Sequence, residues 1–241
     1  MAPSYNDGSD FVFFLGVDFN LEEFIDSGTV AEAFMPADPA RGRAYFATCA
    51  GCHGPAGQGN PGLHAPALAG LPQSYLLRQL RHFRAGVRGK AEDFYGFMMV
   101  GRANALPGDR GARDVASYIA TLPVAGSLVR ADPVAKPTGS LASAKKTFET
   151  CAVCHGSNGQ GNSDVGAPPI AGQPSWYVTA QLANFRKGLR GADEKDTEGN
   201  AMRSALEGIP PTDDPGIASY IASLRPAITP SSSSGTAGNT K

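Results

Sequence analysis

Positive charge is missing from the start of this sequence. Residues 1–38 hold no Lys or Arg, yet they carry eight acids: Asp7, Asp10, Asp18, Glu22, Glu23, Asp26, Glu32 and Asp38. The apolar run Phe11–Val17 therefore has no basic flank, and Asp10 and Asp18 close it in, so it does not read as a signal peptide. Nowhere does the chain hold the ~18–20 consecutive apolar residues that a membrane-crossing helix needs. No basic run is interleaved with aromatics, which removes the usual footprint of a nucleic-acid binder. What is present is uneven. Residues 39–125 carry ten Lys or Arg against four acids, although the whole chain sums to −1. That basic stretch suits an acidic partner, the chain's own acidic arm, or the carboxylates of a cofactor.

With 41% hydrophobic and 18% charged residues the composition is globular. The 30 Gly and 19 Pro among 241 residues imply much loop. Two small loop-rich domains would have thin cores and would need a staple. Cysteine is scarce, and its placement decides the class. The four fall as Cys49-Ala-Gly-Cys52-His53 and Cys151-Ala-Val-Cys154-His155. Cys-x-x-Cys-His is the attachment pattern of c-type haem. Two thiols three positions apart on a helical turn reach the two vinyl groups of one porphyrin edge, and the adjacent His supplies a nitrogen to iron. A zinc site does not demand a His after each second Cys. A thioredoxin-like pair needs a βαβ context that is absent. Simple disulfides leave the repeated His unexplained. Two covalently bound haem c groups are expected.

The similarity between halves extends past the motifs at a spacing of 102 residues. Gly57-Gln-Gly-Asn60 recurs as Gly159-Gln-Gly-Asn162. Tyr75, Gln79, Phe83, Arg84, Arg88 and Gly89 return as Tyr177, Gln181, Phe185, Arg186, Arg190 and Gly191. Repetition of this length means tandem domains rather than a solenoid. The expected division is an acidic aromatic extension (1–37), a first domain (38–125), a linker (126–139), a second domain (140–228) and a disordered tail (229–241). Each domain reads as three helices. The first begins at Asp38-Pro39 or Ser140 and ends at the haem motif. The second runs up to Gly86 or Gly188. The third carries Val115, Tyr118, Ile119 and Leu122, or Ile217, Tyr220, Ile221 and Leu224. The fold class is all-α, with Gly/Pro-rich loops wrapped around flat rings.

Met opposite His gives electron transfer and raises the potential. Met1 and Met35 precede both domains, so Met98, Met99 and Met202 remain as candidates. The second domain offers only Met202. Met99 lies eight residues before Pro107, as Met202 does before Pro210, whereas counting from the haem motif lands on Val100. Met99 is favoured, with Met98 as its packing neighbour. The expected iron ligands are thus His53, Met99, His155 and Met202. Pro66 and Pro168 each follow the haem His by thirteen residues and are expected to offer a carbonyl to its Nδ1–H. Arg84, Arg88, Arg186 and Arg190 read equally as counterions for haem propionates or as solvated helix ends. His64 and His82 are replaced by Gly166 and Asn184 in the second copy, and read as partly exposed residues of a loop and a helix.

Across about residues 38–226 the chain resembles the class I dihaem cytochromes c of the cytochrome c4 type. The resemblance is carried by the two C-x-x-C-H-G segments, Pro66-Ala-Leu-Ala-Gly70, Pro168-Pro-Ile-Ala-Gly172, Tyr75–Leu80, Phe83–Gly86 and the Met-x6-Leu before the last helix. It implies two cytochrome c folds related by a pseudo-twofold, His/Met ligation at both irons, a periplasmic location and an oxidase or other redox partner. Because no export signal is legible, that location would need a leader not contained in these residues. The acidic extension and the tail have no place in the pattern, and residues 10–36 are expected to pack on a haem domain or dock a partner. Three roles follow: a non-enzymatic electron carrier, a dedicated electron-accepting subunit of a dehydrogenase or oxidase complex, and a haem enzyme with an open iron. Candidate Met ligands in both halves argue against the last.

Overall fold

The computed structural model of the chain describes residues 12–14, 17–19, 35–123 and 140–224. The expected linker and tail, and most of the acidic extension, lie outside the described residues. Within the extension, β1 (Val12–Phe14) pairs antiparallel with β2 (Val17–Phe19), Phe13 opposite Asp18. The rest is helical. In the first half these are α1 (Pro39–His53), α2 (Gln73–Arg84), α3 (Phe94–Asn104) and α4 (Gly108–Thr121). In the second they are α5 (Leu141–His155), α6 (Ser175–Arg186), α7 (Thr197–Ala205) and α8 (Asp214–Ser223). No helix among the described residues is long and apolar enough to cross a membrane.

α1 starts where Asp38 caps it, its carboxylate accepting from the backbone N–H groups of Ala40 and Arg41, with Pro39 in the first turn. Ser140 makes no such side-chain bond at the head of α5. In each half the first helix crosses the last, α1 on α4 and α5 on α8. Phe46 meets Tyr118 with ring centroids 5.3 Å apart, and Phe148 meets Tyr220 at 5.1 Å. Around these contacts lie two matched cores, one with Leu76, Val115 and Ile119, the other with Val178, Ile217 and Ile221. At the first crossing Gly42 lies so close to the Asp114 carbonyl that a Cβ would overlap it.

Among the described residues each half has four α-helices where three helices were expected. The additional pair, α3 and α7, occupies the segments read as loops. Their periodicity is hidden because α3 buries only Gly96 and Ala103, while its large apolar residues Phe94, Phe97 and Met98 are exposed. What starts each is a cap: Asp93 accepts from the Gly96 N–H and Asp196 from the Gly199 N–H. Gly89 and Gly191 let the preceding chain pass close to these helices, since a Cβ on Gly89 would lie 2.6 Å from the Gly96 carbonyl oxygen and one on Gly191 would overlap that of Gly199, while a Cβ on Gly96 or Gly199 would overlap the capping carboxylate.

Candidate haem-binding sites

The haem motif ends each first helix, and a built loop follows it. Gly54 and Gly156 close the helices, and the recurring Gly-Gln-Gly-Asn folds the chain back. Gly59 adopts φ +82, which favours glycine, and a Cβ there would lie 2.7 Å from the Ala67 nitrogen. Its N–H donates to the His53 carbonyl at 2.8 Å, and the Gly161 N–H donates likewise to His155. Asn60 pairs with Ala65, and Asn162 with Ala167, as isolated bridges. The fold-back brings the Pro66 carbonyl 2.8 Å from His53 Nδ1 and the Pro168 carbonyl 2.8 Å from His155 Nδ1. Both imidazoles are buried. Burial pushes each below the ordinary histidine value, against the opposing pull of the proline carbonyl. Cys49 and Cys151 are partly buried, and burial raises both thiols.

The methionines stand on α3 and α7. Counted from the capping Asp, Met99 and Met202 both fall six residues on, so the cap alignment equates them and leaves Met98 one position earlier. Met99 is half-buried, whereas Met98 is 51% exposed. Met202 packs against the second core. Arg84 Nη1 donates to the Ala103 and Leu106 carbonyls at 2.8 and 3.0 Å. Arg186 Nη1 donates to the Leu206 carbonyl, while its Nε and Nη2 bind Asp214. These two arginines hold the carbonyl ends of the methionine helices. They are not the solvated helix ends that one sequence reading allowed.

Arg88 and Arg190 do something else. Arg88 donates to Gln79 in its own half at 2.7 Å and to Gln181 in the other at 3.0 Å. Arg190 mirrors it, reaching Gln181 at 2.9 Å, and Gln79 and Tyr75 across the divide at 3.2 and 3.0 Å. Each guanidinium lies over a phenyl ring, Arg88 on Phe83 and Arg190 on Phe185. Both arginines are buried, and Arg88 Nε has no hydrogen-bond partner. One cavity of about 590 Å³ opens beside them. Cys49, Cys52, His53 and Met99 line it from the first half, and Cys151, Cys154, His155 and Met202 from the second. The candidate residues of both halves therefore face one space. His82, expected to be partly exposed, is instead buried against the second domain.

A family model described as Cytochrome c matches residues 39–123 and again residues 141–225. The chain belongs to the cytochrome c family. Cytochrome c4 from Azotobacter vinelandii is 32% identical over 204 residues, covering 82% of this chain and 94% of that one. The thiosulfate dehydrogenase electron acceptor of Thiomonas intermedia is 33% identical over 168 residues, 66% of this chain and 71% of the relative. Among solved structures, reduced recombinant cytochrome c4 from Pseudomonas stutzeri matches with a TM-score of 0.60 at 28% identity, covering 78% of this chain and all of that one. The protein is a dihaem electron-transfer cytochrome of the c4 kind, with a Cys-x-x-Cys-His motif for haem in each cytochrome c domain.

The walls fit that cofactor on their own terms. A flat apolar ring with a thioether-forming edge suits a largely apolar cavity that has two thiols and an imidazole on one wall. Its two carboxylates suit a place where a buried guanidinium nitrogen lacks a partner. The recurrence of Tyr75, Gln79 and Arg88 as Tyr177, Gln181 and Arg190 was visible in the sequence. That each set meets its own copy across the domain boundary was not.

Proposed function

We propose that this cytochrome is a periplasmic electron carrier with two coordinatively saturated irons, held by His53 and Met99 in the first domain and by His155 and Met202 in the second. Each bound haem supplies a one-electron Fe(III)/Fe(II) couple. The chain's own residues set the conditions for it. Pro66 and Pro168 keep the proton on Nδ1 of His53 and His155, which leaves Nε2 as the nitrogen for iron. Cys49, Cys52, Cys151 and Cys154 tether the rings, and the apolar side chains around them exclude water. Arg88 and Arg190 neutralise propionates at the domain boundary. The observation that carries this reading is the duplicate arrangement itself: in both halves a carbonyl-locked imidazole and a cap-aligned methionine line one cavity.

Oxidised holoprotein is expected to show the weak far-red methionine-to-iron band, two haems per chain, and no binding of carbon monoxide to the reduced form at neutral pH. Met99→Ala and Met202→Ala should each remove about half of the band, while Met98→Ala should leave it. Fast carbon monoxide binding in the wild type would replace the carrier reading with a catalytic iron. Met98→Ala losing the band would exchange the two neighbours.

The donor and acceptor are proposed to be proteins, a dehydrogenase on one side and an oxidase on the other. A role as the dedicated acceptor of one dehydrogenase is favoured by a specific feature of α3. Phe94, Phe97 and Met98 are 65%, 55% and 51% exposed there, whereas α7 carries Thr197, Asn200 and Ala201 at the same places. An apolar patch on one methionine helix and not on its counterpart is what a fixed docking partner needs. The acidic extension, whose Met35 carbonyl accepts from Arg113 at 3.1 Å, is proposed to assist that docking.

A further inference from the structure

Each domain braces the other's methionine helix, and the two braces are chemically different. On one side α2 of the first domain reaches over with Arg78 and His82. Arg78 Nη2 donates to the Gly166 carbonyl at 2.6 Å, and its Nη1 lies 2.9 Å from Glu198 Oε1. His82 Nδ1 lies 3.7 Å from Asp196 Oδ1. The positions matching Arg78 and His82 on α6 are Ala180 and Asn184, so no such ionic contact can be returned. There the contact is made of rings: Trp176 meets His64 edge-on at 5.4 Å, and His64 stacks on Tyr95 at 4.3 Å. The second site is held by charge and the first by aromatic faces.

The ionic brace grips both segments that place the second site's ligands. Asp196 caps α7, its Oδ1 accepting from the Gly199 N–H at 2.9 Å, six residues before Met202. Gly166 lies two residues before Pro168, whose carbonyl holds His155. His82 and Asp196 are 9% and 3% exposed. His82 Nδ1 is buried without a hydrogen-bond partner, one small movement from the carboxylate that faces it.

We propose that His82 is a proton-linked positioning residue for the second haem, coupling electron uptake there to proton binding across the domain boundary through Asp196. The inference rests on His155/Met202 ligation as proposed above. The charges facing His82 are Asp196 and Glu198 at the head of α7, Arg78 on its own helix, and Arg190 beyond the end of α6. Burial pushes His82 below the ordinary histidine value. Asp196 and Glu198 pull it up, Arg78 and Arg190 push it down, and the net is downward. The imidazole is therefore neutral near pH 7 and takes its proton on the acid side. One electron arriving from a protein donor removes one positive charge from the second site, and up to one proton from solvent binds His82 Nδ1. By linkage, the midpoint potential of that site falls as pH rises through the titration of His82.

The test is spectropotentiometric titration of the full-length holoprotein from about pH 5 to 8, the window in which histidines titrate. The variant His82→Asn installs the residue found at position 184. In the wild type one midpoint should fall with pH and the other stay flat. Loss of the second methionine's haem-shifted methyl resonance in Met202→Ala assigns the sloping site. His82→Asn should remove the slope from that site and leave the first unmoved, and Asp196→Asn should shrink the slope while keeping a side-chain cap on α7. A flat wild type, a slope retained in His82→Asn, or equal changes at both sites would overturn the proposal. If the far-red band is absent in the wild type, the ligand reading has failed. If the band is present and the slope survives the substitution, only the role of His82 has.

Discussion

Gly42 shows how narrowly a single residue sets the fold of the first domain. In a helix interior, Gly→Ala ordinarily stabilises by up to about 1 kcal/mol. Here the new Cβ would overlap a backbone carbonyl, that of Asp114, and backbone cannot rotate away as a flexible side chain can. Gly42→Ala is therefore expected to destabilise the holoprotein by about 1–3 kcal/mol, the usual cost of overpacking, read as a lower Tm. Asp114 beside it gives a pH prediction. Burial pushes its carboxyl up, but hydrogen bonds from Arg41 at 2.7 and 3.1 Å and from the Asp38 N–H at 2.7 Å, with the Arg41 and Arg110 charges, outweigh that and hold it below the usual range. A depressed carboxylate stabilises the fold above its unfolded value of about 4 and loses that contribution as pH falls through the folded value. Asp114→Asn should thus be less stable than wild type at pH 7, and the gap in urea midpoint should close as the solution is acidified below about pH 4. A gap independent of pH would remove the charge from the account. Residues of this scale divide in legibility. The His53–Pro66 and His155–Pro168 hydrogen bonds follow from an offset that repeats, and fixed offsets can be read. Asp114 and Arg41 come together only through the crossing of α1 and α4, and the second copy has Gly216 and Ser143 there, so no repetition points to them.

Among the elements, α3 and α7 separate what a sequence announces from what it hides. α1 has the Asp38 cap, α2 and α4 start after Pro72 and Pro107 and carry a buried stripe, and all three lie where caps, breakers and periodicity predict. α3 has its apolar residues facing outward, so the pattern that betrays a helix is the pattern it lacks. The same outward face is the difference between the domains. If it docks a redox partner, Phe94→Ser with Phe97→Ser should leave the Tm and the far-red band unchanged. The second-order rate constant for electron exchange with the proposed dehydrogenase partner should then fall by about tenfold or more, since one or two exposed aromatics at an interface centre carry more than ~1 kcal/mol each. Thr197→Ala with Asn200→Ala on α7 is the matched control, and an equal effect from that pair would remove the asymmetry from the explanation.

For the molecule as a whole, duplication does more than place two haem sites on one chain. Gln79 accepts from Arg88 and Arg190, and Gln181 accepts from the same two arginines, so two side-chain carbonyls tie both guanidiniums across the domain boundary. The halves are thereby expected to unfold together. Gln79→Leu keeps the volume and removes one shared acceptor, which leaves two buried charged donors each short of a bond at about 1–3 kcal/mol apiece. The cost falls on the boundary and not on either core, because both clusters of buried apolar residues are untouched. Calorimetry of the holoprotein should then change from one transition to two. The high-salt behaviour distinguishes this network from the Arg78–Glu198 pair, which is partly exposed and screened. Two transitions in Gln79→Leu that persist at low and high ionic strength assign the cohesion to the buried arginine–glutamine network, whereas a single transition at both would move it to the ionic brace and the aromatic stack.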